Sequence, residues 1–398
     1  MKILQICKKN PFPPRDGETK AIDILAMGLL SREVDLMVLS FNTTKHYVEK
    51  VEYEKAPYQI ETVDLDNQLN YTSIISDFLR GSSPNFERFH SVEMEDKIRQ
   101  LLEQSDFDLI QLEGSYLLSY VDVIRKYSKA PIFVRTHNVE YQIWQRLAEG
   151  EHGPKKWIFR AMAERMKNFE LDKLSQVDAL LPISVLDEKS FKKEGIDKPM
   201  LTIPMGVHLN GTKPSRTQDM IEAKSLAFLG SMDWEPNKEG VNWFLREVWP
   251  RLRKEEGTAK FYLAGRNMPK QYFSLEKPGL KVPGEVDCPK TYLFDKAAVV
   301  IPLLSGSGMR IKAIEAMELA IPLISTSIGV EGIPAKHQEH LLIADSPKDM
   351  IEAIRWVWQH PDEAEAMARR AQELIYLHFD MENLTDRMLA FYQEMLRP

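Results

Sequence analysis

Residues Ala297 to Thr326, AAVVIPLLSGSGMRIKAIEAMELAIPLIST, decide the fold. Ala297–Leu304 is an apolar, Val/Ile-rich run of strand length, and Ser305-Gly306-Ser307-Gly308 is a turn of small residues. Met309–Ala320 has helical spacing, and Ile321–Ser325 is apolar again. The expected unit is strand, loop, helix, strand. Glycines in the loop let backbone N–H groups approach an anion, and a helix N-terminus favours negative charge. Arg310 and Lys312 place a planar fork and a point charge there, both suited to phosphate oxygens. About a turn and a half further on, the Glu315 carboxylate can accept hydrogen bonds from sugar hydroxyls. Taken alone, Lys312 and Glu315 read better as a helix-surface ion pair, worth about 0.2–0.5 kcal/mol. Arg310 tips the reading, because a cation at the start of a helix opposes the macrodipole unless an anion lies nearby. The stretch therefore predicts a site for a nucleotide sugar.

Upstream, a second strand and helix series leads into this unit. Ser225–Leu229, Lys260–Leu263 and Leu280–Val282 read as strands, with a helix near Glu239–Arg253. Their ends carry Gly230, Gly265-Arg266 and Gly284-Glu285-Val286. Met205–Glu222 is polar, aperiodic and contains Gly206, Gly211 and Pro214, as a domain linker would. Downstream, His340–Ala344 reads as a strand and Ser346–Met381 as helical with a break at Pro361, opened by a Ser346/Asp349 cap. Leu384–Leu396 is a last amphipathic helix that needs a surface to cover.

The first half alternates in the same way. Strand patterns fall at Lys2–Ile6, Asp35–Leu39, Gln59–Val63, Asp108–Leu112, Ile132–Val134, Ala179–Ile183 and Met200–Ile203, which predicts a doubly wound parallel sheet. Ligands of such sheets sit at the carboxyl ends of strands. Three ends stand out: the loop KKNPFPPRDGETK, where Gly17 allows close approach beside Arg15, Asp16 and Lys20, then Glu113-Gly114-Ser115-Tyr116, and Arg135-Thr136-His137-Asn138-Val139-Glu140. His137 sits where its side chain would face a crevice.

The chain has 398 residues, long enough for two domains of ordinary size. A net charge of −7 argues against a general nucleic-acid binder. Cys7 and Cys288 are far apart and imply neither a disulfide framework nor a metal site, and Asp64-Leu65-Asp66 reads as a surface turn. With no signal-like start and no apolar run of about 18 residues, a cytoplasmic location is expected. Lys155, Lys156, Arg160, Arg165 and Lys167, interleaved with Trp157 and Phe159, could touch an anionic inner membrane face, although Glu164 and Glu170 interrupt the charge as in an ordinary solvated helix. Trp234, Trp243 and Trp249 are expected in core or rim positions, Trp234 being the candidate for stacking on a sugar.

These residues resemble the retaining glycosyltransferases of the GT-B fold known as group 1 or family 4. FLGSMDWEPNKEGVNWFLREVWPRL, LAGRNMP, VPGEVD and PLLSGSGMRIKAIEAMELAIPLISTSIGVEGI are similar to the family's donor-binding half, and the Pro/Gly loop and RTHNVE to its acceptor side. The resemblance implies two Rossmann-like α/β/α domains facing a central cleft. An acceptor-side domain would span 1–204 plus 382–398, and a donor-binding domain 205–381, with the last helix crossing back to the first domain. It also implies that Glu315 binds ribose, that Ser307, Gly308, Met309, Arg310, Ile311 and Lys312 hold pyrophosphate and sugar, that Gly230 makes room, that Glu285 and Val286 border the base, and that His137 and Arg310 serve the transfer. The family's usual glutamate eight residues before Glu315 is here Ser307, and its usual arginine after Gly230 is Ser231, so Arg310 and Lys312, assisted by Arg266 or Lys238, are expected to supply the phosphate charge.

The implied reaction moves a sugar from a nucleoside diphosphate sugar to a hydroxyl of a glycan, lipid-linked or small-molecule acceptor, with retention, in cell-surface polysaccharide or glycoconjugate synthesis, without metal or other cofactor. Two further readings share the architecture: a nucleotide-sugar epimerase and a bilobal sugar-binding protein without chemistry. A nicotinamide dehydrogenase is disfavoured because no G-x-G-x-x-G follows the first strand.

Overall fold

The computed structural model describes residues 1–67, 86, 88–150, 152–207, 213–306 and 309–397. Two compact units emerge, Met1–His208 with Met381–Pro398, and Leu209–Asp380.

The first unit is built on β1 (Lys2–Cys7), β2 (Asp35–Thr43), β3 (Gln59–Leu65), β4 (Leu109–Glu113), β5 (Ile132–Arg135) and β6 (Ala179–Leu180). They form one sheet in the order β3-β2-β1-β4-β5-β6, each pair parallel. The central strands are unbroken apolar runs because both of their faces are covered. Side chains alternate between faces, so Leu4 and Ile6 join the core with Leu112 and Val134, whereas Ile3 and Cys7 join the one with Ile22 and Leu25. That second core is closed by the last helix, Met381–Met395, through buried Met388 and Tyr392. The helix Gly17–Leu30 crosses it at Gly28, where a Cβ would come within 2.2 Å of the Thr385 hydroxyl. Any side chain there would push the helices apart. Burial of Leu384 and Met388 contributes about 1.5–3 kcal/mol each.

The second unit repeats the plan with β7 (Glu222–Leu229), β8 (Lys260–Ala264), β9 (Leu280–Gly284), β10 (Lys296–Ile301), β11 (Leu323–Ser325) and β12 (Leu342–Ile343). Their order is β12-β11-β10-β7-β8-β9. Strand order reverses between β1 and β4 in one sheet and between β7 and β10 in the other, and each switch point opens a crevice at the carboxyl ends of its own sheet.

The expected α/β architecture is present, with some local differences. Met200–Ile203 is not a sheet strand; Met200 makes only a single bridge to Leu180. The run Ala297–Leu304 pairs only to Ile301, because Pro302 has no N–H for a ladder. The following helix is Ile311–Glu318, shorter than its apolar spacing suggested, and Ala320 turns the chain with φ 52°. Gly17 is not in a loop: Asp16 caps the helix that starts at Gly17, accepting from Thr19 N–H at 3.0 Å. Asp64 and Leu65 extend β3 where a turn was expected. Glu235–Glu255 is one continuous helical segment containing a π-helical turn at Phe244–Val248. Ser346 accepts from the Asp349 N–H at 3.1 Å, capping Pro347–Gln359, and the next helix, Pro361–His378, begins after the expected break.

Candidate active site

In the first unit, polar side chains gather at the carboxyl ends of β1, β4 and β5. His137 follows β5 and is 8% exposed; its Nε2 lies 2.7 Å from Glu113 Oε2, at the end of β4. Glu113 is fully buried, as is Arg135, whose Nη1 is 3.5 Å away. Burial alone would raise the Glu113 carboxyl, but the Arg135 charge and the His137 and Gln111 donors outweigh it and hold it down to about 2. Beside them, Lys8 pairs with Glu18 at 3.2 Å, and Lys9 with Asp16 at 2.7 Å and Glu18 at 3.1 Å. Against the burial that would raise it, the Lys8 and Lys9 charges, joined by that of His137 when its ring is protonated, keep Glu18 well below the ordinary carboxylate range. This loop was expected to contribute Gly17 with Arg15, Asp16 and Lys20. Asp16 does join the charge cluster, with Lys9 and Glu18, while Arg15 turns outward to Glu52 at 2.6 Å.

The segment after His137 is anchored by two carboxyls. Glu140 accepts from the Tyr116 hydroxyl at 2.8 Å. Glu170 bonds the Ser115 hydroxyl at 2.6 Å and accepts from the Tyr141 N–H at 3.2 Å. Burial, then the neighbouring Glu140 charge, pushes Glu170 up to about 8. It therefore holds a proton at neutral pH.

In the second unit the switch point between β7 and β10 brings together Gly230, Trp234, Asn237, Gly306, Arg310 and Lys312. Gly265 packs so tightly on the turn after β7 that a Cβ there would lie 1.8 Å from the Gly230 carbonyl oxygen. Lys312 bends inward: its Nζ donates to Asn237 Oδ1 at 2.5 Å and lies 4.5 Å from the Phe228 ring centre. Among the described residues its ammonium makes no ion pair, so the simple pairing with Glu315 is not realised. Desolvation, then the Arg310 charge, pushes Lys312 down to about 7. Arg310 is the N-cap residue of Ile311–Glu318 and 6% exposed, its guanidinium 5.3 Å from the Trp234 ring centre. Gly306, with φ 117°, lies against both: a Cβ would meet Arg310 Nη2 at 2.8 Å and the Trp234 ring at 3.3 Å. Trp234, the candidate for stacking on a sugar, is a 38% exposed rim residue with the Arg310 guanidinium over its ring, and Trp249 is core. Met309, Ile311 and Glu315 adjoin this cluster in sequence and are partly buried. Ser307 and Gly308 lie outside the described residues.

Arg266 and Glu285, at the ends of β8 and β9, pair with each other at 3.5 Å, and Val286 follows them. Lys238 pairs with Glu235 at 2.5 Å. Asn237 was missed by sequence reasoning, since nothing in an amide at the third position of a helix reveals which lysine will reach it. The role of Glu113 was missed too, although its place at a central strand end was visible.

Residues 223–360 match the family described as Glycosyl transferases group 1. That match places a segment similar to group 1 glycosyltransferases in the second unit. This group 1 segment spans β7 to the end of Pro347–Gln359, including Gly230, Arg310, Lys312 and Glu315. Over its full length the chain resembles Anabaena HepE in complex with UDP, at 12% identity and TM-score 0.70, covering 99% of this chain and 100% of the other. It also resembles the sucrose-phosphate synthase of Thermosynechococcus elongatus, at 14% identity and TM-score 0.71, covering 99% of each. The fold is GT-B, as expected. An uncharacterized 44.6 kDa protein in the cps region of Klebsiella pneumoniae is 23% identical over 362 residues, 86% of this chain and 87% of the relative. The expected class of enzyme, a glycosyltransferase, is borne out.

Proposed function

We propose that the protein transfers a sugar, with retention, from a nucleoside diphosphate sugar to an acceptor hydroxyl, in the synthesis of a surface polysaccharide or glycoconjugate. The observation that carries the reading is Lys312 beside Arg310 at the β7/β10 switch point. A partly buried ammonium satisfied, among the described residues, by an amide oxygen and an aromatic face is a costly arrangement that a bound diphosphate would relieve. As the diphosphate departs, negative charge grows, and preorganised cations and N–H groups there would stabilise it. The UDP held by the HepE neighbour supports a nucleotide donor, and the cps-region relative supports the polysaccharide setting. In this reading Glu315 binds ribose, Ser307 to Lys312 hold pyrophosphate and sugar, Glu285 and Val286 border the base, and the unit containing His137 binds the acceptor.

Free nucleoside diphosphate released from a panel of nucleotide sugars, with and without glycan, lipid-linked and small-molecule acceptors, tests it. Acceptor-dependent release is expected; conversion of the donor sugar without release would instead mark an epimerase, and silent binding a binding protein. Arg310→Ala and Glu315→Ala should each weaken nucleotide affinity on the order of tenfold or more. Unchanged calorimetric affinity in both would remove the assignment.

A peripheral membrane position is favoured by one exposed stretch. Trp157 is 71% and Ile158 50% exposed at the start of the helix Pro154–Leu174, with the Arg160 guanidinium 6.0 Å from the Trp157 ring. The side chain of Lys155 lies outside those described, and no helix among the described residues is long and apolar enough to cross a membrane. Sedimentation with anionic vesicles should fall on Trp157→Ala; equal sedimentation would dismiss the contact.

A further inference from the structure

Among the described residues, every group that reaches the Glu113 carboxylate is a donor. Gln5 Nε2 and Gln111 Nε2 donate to Oε1 at 2.7 and 2.5 Å, while Oε2 faces His137 Nε2 at 2.7 Å and Arg135 Nη1 at 3.5 Å. Guanidinium and amide NH2 groups have no lone pair to offer, and an ionised carboxylate has no proton to give. The bond to His137 can therefore run in one direction only, from Nε2–H to Glu113. A neutral ring so held carries its lone pair on Nδ1. Among the described residues no hydrogen bond reaches that atom, although His137 is only 8% exposed.

The orientation of Gln111 is itself set from far away. Its Oε1 accepts from the Tyr392 hydroxyl on the last helix, 281 residues along the chain, which leaves its NH2 for Glu113. Burial and the Glu113 charge push the Tyr392 hydroxyl well above the ordinary tyrosine range, so it remains a donor. Tyr392, Gln111 and Glu113 are all fully buried, which gives the chain of bonds a low-dielectric setting with few alternatives.

We propose that Glu113 is a positioning residue of the transfer site: it locks His137 in the Nε2–H tautomer, so that Nδ1 accepts a hydrogen bond from a substrate hydroxyl, and Tyr392 on the last helix holds this alignment through Gln111. The proposal rests on the reading of His137 as a transfer residue. It also selects the ligand chemistry. A lone pair at Nδ1 attracts a hydroxyl, as on a carbohydrate, and repels a carboxylate or phosphate oxygen.

Long-range nitrogen-15 correlation spectra of the imidazole, recorded at about pH 8 where an ordinary histidine is neutral, read the tautomer directly. The native protein should show Nε2–H. Glu113→Gln can turn its NH2 toward His137, and the tautomer should shift to Nδ1–H with a fall in kcat on the order of 10- to 100-fold at little-changed donor KM. Glu113→Asp should keep the tautomer and recover part of kcat. Tyr392→Phe should give a smaller fall in the same direction. An Nδ1–H signal in the native protein, or an unchanged tautomer in Glu113→Gln, would overturn the wiring, and a shifted tautomer with undiminished kcat would overturn the positioning role. The native spectrum needs neither turnover nor a stable variant. If the native protein releases no nucleoside diphosphate from any donor, the transferase reading fails while the spectrum still decides the pairing.

Discussion

The two switch points are built from the same strands and opposite electrostatics. At β1/β4 the charges are already matched: Lys8 and Lys9 against Asp16 and Glu18, Arg135 against Glu113. At β7/β10 Lys312 rests on an amide oxygen and a phenyl ring, with Arg310 beside it over an indole. A crevice whose charges are internally neutralised suits a neutral hydroxyl ligand. One that withdraws a lysine from water without an ion pair suits an anion. Identical topology thus carries two electrostatic environments, because topology supplies only strand ends and the residues placed there supply charge.

The comparison can be broken by removing one charge from each side. Arg135→Ala leaves Glu113 buried without its cation and should cost about 3–5 kcal/mol in the first unit's unfolding free energy. Chemical denaturation measures it; a loss below about 1 kcal/mol would show that the pair does not hold the strand ends. Lys312→Met should act with the opposite sign, raising stability by about 1 kcal/mol while weakening nucleotide affinity by about 2 kcal/mol. Lower stability in that variant would mean that Lys312 is already satisfied.

Proton linkage sharpens the same contrast with smaller effects. Lys312 titrates at about 7 in the fold against an ordinary 10.5, so the unfolded chain binds more protons between those values and stability should rise with pH across that window. A bound diphosphate would restore the charge, so nucleotide affinity should fall by up to about tenfold per pH unit above about 7. Calorimetry in buffers of different ionisation enthalpy would detect the proton taken up; no uptake would exclude Lys312 as a phosphate ligand. Glu170 works in reverse. Raised from 4.5 to about 8, it makes the folded state the more protonated one, so its contribution is present below the ordinary carboxylate range and is lost as pH rises through about 8. Glu170→Gln should flatten that slope, and an unchanged profile would place the titration elsewhere.

Much of this was legible in the residues. Unbroken Val/Ile runs between amphipathic stretches indicated parallel sheets covered on both faces, and the glycines and cations after Ile301 placed positive charge at the carboxyl end of the second sheet. Local chemistry misled where two signals competed. Gly17 looked like a loop residue, but Asp16 and Thr19 form a reciprocal cap that starts the helix earlier. For Trp234 the residues indicated a core or rim place, and nothing near it in sequence shows that Arg310, 76 positions on, will lie over its ring.

The sequence by itself determined the strand and helix alternation, the strand ends at which charge would collect and the residue types available there, since these follow from side-chain period and backbone preference within a few neighbours. Only the tertiary structure decided the partners: Lys312 with Asn237, Arg310 with Trp234, and the line from Tyr392 through Gln111 and Glu113 to His137. Such pairings join residues far apart in the chain, and whether a side chain donates, accepts or stacks depends on which groups share its space once water has been excluded.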